Sequence, residues 1–217
     1  MPRFGSMDWT ASSKLSWSLG RGRLWLAGAL ALAVVAGAEG QRAVVSVPIL
    51  SGTLSFDGRA TLGDFTGTTT TVSGQMVGGA ALSEARGWVE APVATLKTGN
   101  GRRDRDLNKS MESETYPTIR FDLQRVRTEW ERGDSAAVEV SGTFTIHGVA
   151  REQTFGATVL FEREAVRLKA SLPMNLKDYQ VKGLSKFLGT IKMHPDIVVH
   201  VDVVFGHESP ARPTGPR

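Results

Sequence analysis

The groups best suited to hold an anion are gathered in one segment, where Arg102, Arg103, Arg105 and Lys109 fall within about two helical turns of one another. Guanidinium forks match the oxygens of a phosphate or similar oxyanion, and a helix N-terminus adds a favourable dipole. Asp104 and Asp106 stand among these cations. They can neutralise the cluster, so the same residues also read as a solvated charged surface. Lys177, Tyr179 and Lys182 form a sparser second set beside Asp178, which suits a cap or turn acceptor. The four histidines, His147, His194, His200 and His207, lack the i, i+4 spacing that makes a metal site readable. His200 sits between apolar residues of an alternating run and is expected to point outward, and His147 is expected in a turn. GxSxG, HExxH, P-loop and GxGxxG patterns are all missing. Asp104 and Asp106 lie in a polar stretch without the burial that tunes a general acid. No catalytic residue, metal set or cofactor is expected.

Composition narrows the classes further. The chain has no cysteine, which removes disulfides, thiolate catalysis, Cys-based zinc sites and a lipidated N-terminal cysteine. The net charge of +4 comes mostly from the first 38 residues, where Arg3, Lys14, Arg21 and Arg23 face only Asp8. The remainder is close to neutral, so bulk electrostatics give no case for nucleic acid. Basic Arg21 and Arg23, the apolar run Leu24 to Ala36 and the small-x-small Ala36-Gly37-Ala38 read as a cleaved export signal over residues 1–38. A membrane anchor is the competing reading, but the run is shorter than the roughly 20 apolar residues that span a bilayer. The expected location is therefore periplasmic or secreted. One domain is expected over residues 39–206, and the Pro-rich, polar residues 207–217 are expected to be a disordered tail.

From about residue 44 to Phe205 the dominant pattern is alternation with period two, the mark of strands with one buried face. Val138, Val140, Phe144 and Ile146 alternate with Glu139, Ser141, Thr143 and Thr145. Phe155, Ala157, Val159 and Phe161 repeat the pattern, as do Val166, Leu168, Ala170 and Leu172, and then Ile197, Val199, Val201, Val203 and Phe205. Short turns between the runs imply antiparallel neighbours. Earlier candidate strands are Thr53–Phe56, Gly58–Leu62, Gly67–Val77, Gly87–Leu96 and Thr118–Val126, with Pro92 marking a bulge or edge. Residues 104–114 predict a short helix, and residues 175–188 a second irregular or weakly helical connection. About eight strands of this kind either stack as a sandwich or close into a barrel, and the pattern alone fits both.

Four segments resemble the YceI-like, polyisoprenoid-binding family across Val44 to Phe205. They are Thr61–Thr70 with its Phe-x-Gly, Thr98–Phe121 with its Thr-Gly loop and Tyr-Pro-x-Ile-x-Phe, Val140–Arg151 with its Gly-Val turn, and Leu172–Phe205 with Lys177-Asp178-Tyr179. Many members have His where this chain has Asp106. The resemblance implies an all-β, lipocalin-like, extended antiparallel barrel of about eight strands that holds a polyisoprenoid or other long apolar lipid without catalysis. A lumen of Val, Ile, Leu and Phe suits such a tail, which gains roughly 25 cal/mol per Å² of apolar area removed from water. Strand phase then nominates Phe121, Phe144, Phe155, Val159, Leu168 and Val201 as lumen residues. Arg102, Arg103, Arg105, Tyr179 and Lys182 are nominated for the headgroup, and transient membrane contact and a dimer are both compatible with such a barrel. The alternative is a ligand-free structural or partner-binding barrel acting through its loops or through Trp88 and Trp130.

Overall fold

A computed structural model describes residues 45–61, 63–78, 81–182, 185–186 and 191–206. The expected leader and tail lie outside the described residues. The alternating segments form β1 (Val45–Gly58), β2 (Phe65–Thr69), β3 (Ser73–Gly78), β4 (Arg86–Pro92), β5 (Thr118–Arg132), β6 (Ser135–Ile146), β7 (Val149–Phe161) and β8 (Ala165–Asn175). A short hairpin of β9 (Ser185–Lys186) and β10 (Ile191–Lys192) precedes the last strand, β11 (Asp196–Gly206). The helix α1 (Gly101–Ser110) lies between β4 and β5.

The sheet closes on itself. Going round, β1, β3, β4, β5, β6, β7, β8 and β11 each pair with the next, and β11 returns to β1 with Ile49 opposite Phe205 and Asp57 opposite Val198. This is a closed eight-stranded antiparallel barrel with one extra strand, β2, so closure rather than stacking is the answer to the choice left open by the alternation. Closure gives each of the eight ring strands a partner on both sides, as an open sheet would not. The turns match the strand twist: β6 and β7 are joined by His147 and Gly148, both at positive φ (52° and 73°), as a two-residue type I′ connection requires.

Several boundaries differ from expectation, each for a local reason. Thr53–Phe56 and Gly58–Leu62 are not two strands. One strand, β1, runs through to Gly58. The stretch Gly67–Val77 is two strands rather than one, because β2 pairs with Leu54–Gly58 and β3 with Val45–Pro48, further along the same edge of β1. The chain must step between these partners at residues 70–72, and Val72 passes over Gly52, where a side-chain Cβ would lie 3.0 Å from the Val72 Cβ. The strand expected at Gly87–Leu96 stops at Pro92, which has no N–H to give to a ladder. The helix begins at Gly101 and not at 104, because the Asn100 side chain accepts from the amides of Arg102 (3.0 Å) and Arg103 (3.1 Å) and so caps it three residues earlier.

The interior divides along the barrel axis. At one end Val126, Ala136, Val138, Val140, Ala157, Val159 and Ala170 are buried against one another, and the alanines allow the walls to approach. At the α1 end the buried residues are larger, among them Phe56, Leu96, Met111, Phe144, Met174 and Ile197. On the outer face, charged residues pair across strands: Arg167 donates to both oxygens of Asp202 (2.6 and 2.8 Å), and Arg120 donates to Glu90 of β4 (3.2 Å) while lying over the Trp88 ring.

A comparison of two identical truncations tests this division. Val138 is 1% exposed in the filled end, whereas Val199 is 8% exposed and faces open space at the other. Val138→Ala is expected to lower the unfolding free energy by about 2 kcal/mol, from two lost methyl groups and the void they leave. Val199→Ala should cost less than half of that, because its methyls have few partners to lose. Urea melts of both variants measure the difference, and equal losses would mean that the two ends are packed alike.

Candidate functional site

The open space at the α1 end is a cavity of about 450 Å³, within the range of small-molecule sites. Leu54 and Phe56 of β1, Phe144 and Ile146 of β6, and Ile197 and Val199 of β11 form its walls. Leu107 of α1 and Met111, just beyond the helix, cover it. Its charged groups are confined to one side, where Arg102, Arg103 and Asp106 of α1 meet Asp64 from the loop after β1, with Asn100 and Ser110 beside them. The chamber is therefore apolar inside with a charged rim, an arrangement that can hold a chain-like apolar molecule and contact a polar end.

Two glycine–phenylalanine pairs shape the wall beside that rim. Gly67 stands opposite Phe56 in the β1–β2 ladder, and a Cβ there would lie 2.3 Å from the Phe56 ring. Gly58 stands opposite Phe65, whose ring occupies the place of its missing side chain in the same way, at 2.7 Å. The rings meet edge to face at 6.0 Å, and the Arg103 guanidinium lies over Phe65 at 4.4 Å. This is the physical content of the Phe-x-Gly at residues 65–67: each glycine leaves room for a ring from the neighbouring strand.

The helix is held at both ends. The Asp104 carboxylate accepts from the Thr98 amide (2.8 Å) and the Thr98 hydroxyl (2.7 Å), and these two bonds hold its pKa below the usual carboxylate value. At the far end the Ser110 hydroxyl donates to the Lys182 carbonyl (2.5 Å).

Among the residues nominated by strand phase, Phe144 borders the chamber. Phe121, Phe155, Leu168 and Val201, with Phe144 again, border a separate void of about 70 Å³ deeper in the barrel. Val159 belongs to the close-packed end. Arg102 and Arg103 stand at the rim, while Arg105 is exposed on α1 and does not reach the chamber. Tyr179 is away from the rim: it is fully buried in the core, and burial raises the pKa of its phenol. Lys182 is exposed and contributes its backbone carbonyl to the tie on α1. Sequence reasoning missed Phe56, Leu96, Met111, Met174 and Ile197 as wall residues. Ile197 shares the phase of Val201, so alternation marks its face but not its depth along the axis.

His200 does face outward, where Nε2 meets Asp57 (2.9 Å) and Nδ1 meets the Ser171 hydroxyl (2.8 Å). The composition is that of a hydrolase triad, but the Asp57 side chain is 55% exposed, and Ser171 and His200 border an open groove that Asp57 does not line. A triad carboxylate works by being buried against its histidine. His147 sits in the β6–β7 turn, 3.4 Å from Glu112 and stacked near Tyr116. Among the described residues no cluster of three His, Asp or Glu side chains could hold a metal ion, and no helix is long and apolar enough to cross a membrane.

Comparison with known proteins follows the fold. A profile of the YceI-like domain matches residues 50–205. The structure is similar to that of BcnA from Burkholderia cenocepacia, with 18% identity, a TM-score of 0.60, and coverage of 70% of this chain and 95% of the other. A polyisoprenoid binding domain from Saccharophagus degradans, implicated in plant cell wall breakdown, matches at 14% identity and TM-score 0.60 over 76% of this chain and 99% of that one. The YCEI protein of Campylobacter jejuni matches at 19% identity and TM-score 0.50 over 66% and 85%. No curated protein sequence matches.

The Thr98–Asp104 tie gives the cover of the chamber a measurable pH dependence. Because the folded pKa of Asp104 is depressed, its contribution is complete above the ordinary carboxylate value of about 3.9 and is lost as pH falls through the lower, folded value. Amide exchange at Thr98, corrected for its intrinsic rate, should be slow near neutrality and accelerate only below about pH 4. Asp104→Ala should remove the protection at neutral pH and flatten the profile. A wild-type profile without an acid limb would show that the tie does not hold the loop.

Proposed function

The chain belongs to the YceI-like family, and from that membership we propose that it is a non-enzymatic carrier holding a polyisoprenoid or similar apolar lipid inside the barrel. The observation that carries this reading is the chamber, whose walls are apolar while its charged groups lie on one side only. A tail that gives up about 300 Å² of apolar surface there gains about 7 kcal/mol, enough for retention without any covalent step. The polyisoprenoid-binding name of the Saccharophagus degradans domain agrees with this class of cargo.

In this reading Arg102 and Arg103 contact the polar end of the cargo at the rim. Their guanidinium groups suit a phosphate or carbonyl oxygen, and Asp106 beside them favours a head that also donates a hydrogen bond. Beside the rim, α1 also exposes Arg105 and Lys109 along with Arg102, so this is the end that would approach an anionic bilayer when lipid is collected or released. The leader read at residues 1–38 directs the protein out of the cytoplasm, where a long apolar molecule needs a soluble container to cross water. The outer Ser171–His200–Asp57 chain takes no part in this reading, because its carboxylate is exposed rather than buried against the imidazole.

Native mass spectrometry of the exported domain, purified gently from its own host, tests the proposal when followed by organic extraction of any bound molecule. A prenyl lipid or prenylated quinone in one-to-one ratio with protein is the expected result. Protein that is always empty, and that takes up no added prenyl lipid, would sink the carrier reading and favour a barrel that acts through protein partners.

A further inference from the structure

We propose that Met111, Met174 and Met193 form an oxidation site inside the chamber: a two-electron oxidant such as a peroxide converts their thioethers to sulfoxides, and the chamber, made polar, no longer holds its apolar cargo. This rests on the carrier reading above and adds a modification that controls it.

The distribution of sulfur carries the inference. Beyond residue 38 the chain has four methionines and no cysteine. Met111, Met174 and Met193 line the chamber, and Met76 lines the deeper void. The buried residues of the close-packed end are all alanines and valines. Sulfur is therefore absent where the barrel is filled and gathered where it is hollow. The three chamber methionines come from separate parts of the fold: Met111 caps the end of α1, Met174 stands in β8 opposite Ile197, and Met193 bridges to Ala60. A molecule that fills the space meets thioethers from more than one side.

Met193 is partly exposed, whereas Met111 and Met174 are 7% and 6% exposed and are reached through the chamber. Hydrogen peroxide is smaller than any lipid tail and enters by the same mouth. A sulfur lone pair attacks one peroxide oxygen, the S–O bond forms as the O–O bond breaks, and the proton of the attacked oxygen passes to the departing one, which leaves as water. Sulfur gives up the two electrons that the peroxide gains. A flexible apolar side chain has then become a polar one. An apolar tail pressed against the sulfoxide oxygen strips its water and offers no donor in return, so binding is penalised. Cargo covers the sulfurs while it is bound, so oxidation acts on the empty barrel and blocks reloading. Reversal needs a separate dithiol reductase, which removes the oxygen as water while its thiols close to a disulfide, because this chain has no thiol of its own.

The test treats the delipidated, exported protein with hydrogen peroxide, maps the added oxygen by peptide mass spectrometry, and measures binding of a dansyl-farnesol reporter. Oxygen is expected at Met193 first and then at Met111 and Met174, with affinity lowered at least about tenfold. Farnesol bound beforehand should slow the labelling. The variant Met111→Leu/Met174→Leu/Met193→Leu should bind the reporter within about threefold of untreated wild type, because the exchange nearly conserves volume, and should keep that affinity after peroxide. It retains Met76, which separates the chamber sulfurs from the fourth. If the triple variant fails to fold, Met193→Leu alone serves, and it should lose less affinity on peroxide treatment than wild type does. Undiminished binding by wild type oxidised at all three positions would overturn the proposal, as would sulfurs that stay unlabelled in the folded protein. So would a loss of affinity that appears only together with loss of the near-ultraviolet circular dichroism of the fold. Untreated wild type that does not bind the reporter at all would instead sink the carrier reading, so the two failures are distinguishable.

Discussion

The structure depends on how one strand shares a single edge. β1 gives its other edge to β11 for almost its whole length, while on this edge Val45–Pro48 pair with β3 and Leu54–Gly58 pair with β2. β3 goes on to pair with β4, which completes the eight-membered ring. β2 instead reaches Lys97 beyond the end of β4, through reciprocal amide–carbonyl bonds between Thr68 and Lys97 (2.8 and 2.9 Å). Near one end the neighbour of β1 is therefore β3, and near α1 it is β2, with the Lys97 segment in the place of β4. The chamber lies at the end where β2 forms the wall, and α1 covers it.

The two ends are filled differently. At one end Ala136, Ala157 and Ala170 are buried with Val126, Val138 and Val159. At the other, even Phe56, Phe144, Met174 and Ile197 leave space between them. Polar groups follow the same logic. Inside the barrel a lone charge would have no water, so the cations and carboxylates are on the outer face in cross-strand pairs or at the rim. Thr69 is the buried polar residue among those described, and its hydroxyl bonds the Thr95 hydroxyl (2.7 Å) and accepts from the Thr71 amide (3.0 Å).

Much of this was legible before any coordinates. Strict alternation from Val138 to Ile146, and again from Ile197 to Phe205, fixes which face is buried, because a one-residue slip would turn every side chain round. The Phe-x-Gly at 65–67 stood out as a motif, and the structure supplies its meaning in ring-over-glycine packing across β1 and β2. Other features have no local signal. The step at residues 70–72 depends on where β1 ends its pairing with one partner and begins with another, which is a long-range fact. The depth of a residue along the barrel is equally invisible to alternation, so Val159 and Ile197 look alike in sequence although one is packed and the other lines the chamber. Tyr179 resembles a rim residue because Lys177 and Asp178 beside it are charged and exposed. A single turn of 3₁₀ helix over Leu176–Tyr179 nevertheless places its ring in the core.

A cavity enclosed by a paired backbone wall has a different consequence from one made by removing side chains. A hole left in a packed core forfeits dispersion contacts all around it, at a cost that grows with its volume. Here β1 is paired with β11 on one side and with β2 on the other along the chamber, and these hydrogen bonds do not depend on what fills it. The partly buried wall residues have the fewest packing contacts to lose. Substitutions among Leu54, Leu107, Leu176 and Met193 can then reshape the chamber at a lower cost to folding than changes at the buried Ile146, Met174 and Ile197, or at Val138 and Val159. Selection for a particular cargo would act on the first group while the second remained under the constraint of packing, which allows one barrel to serve molecules of different length and head without rebuilding the fold.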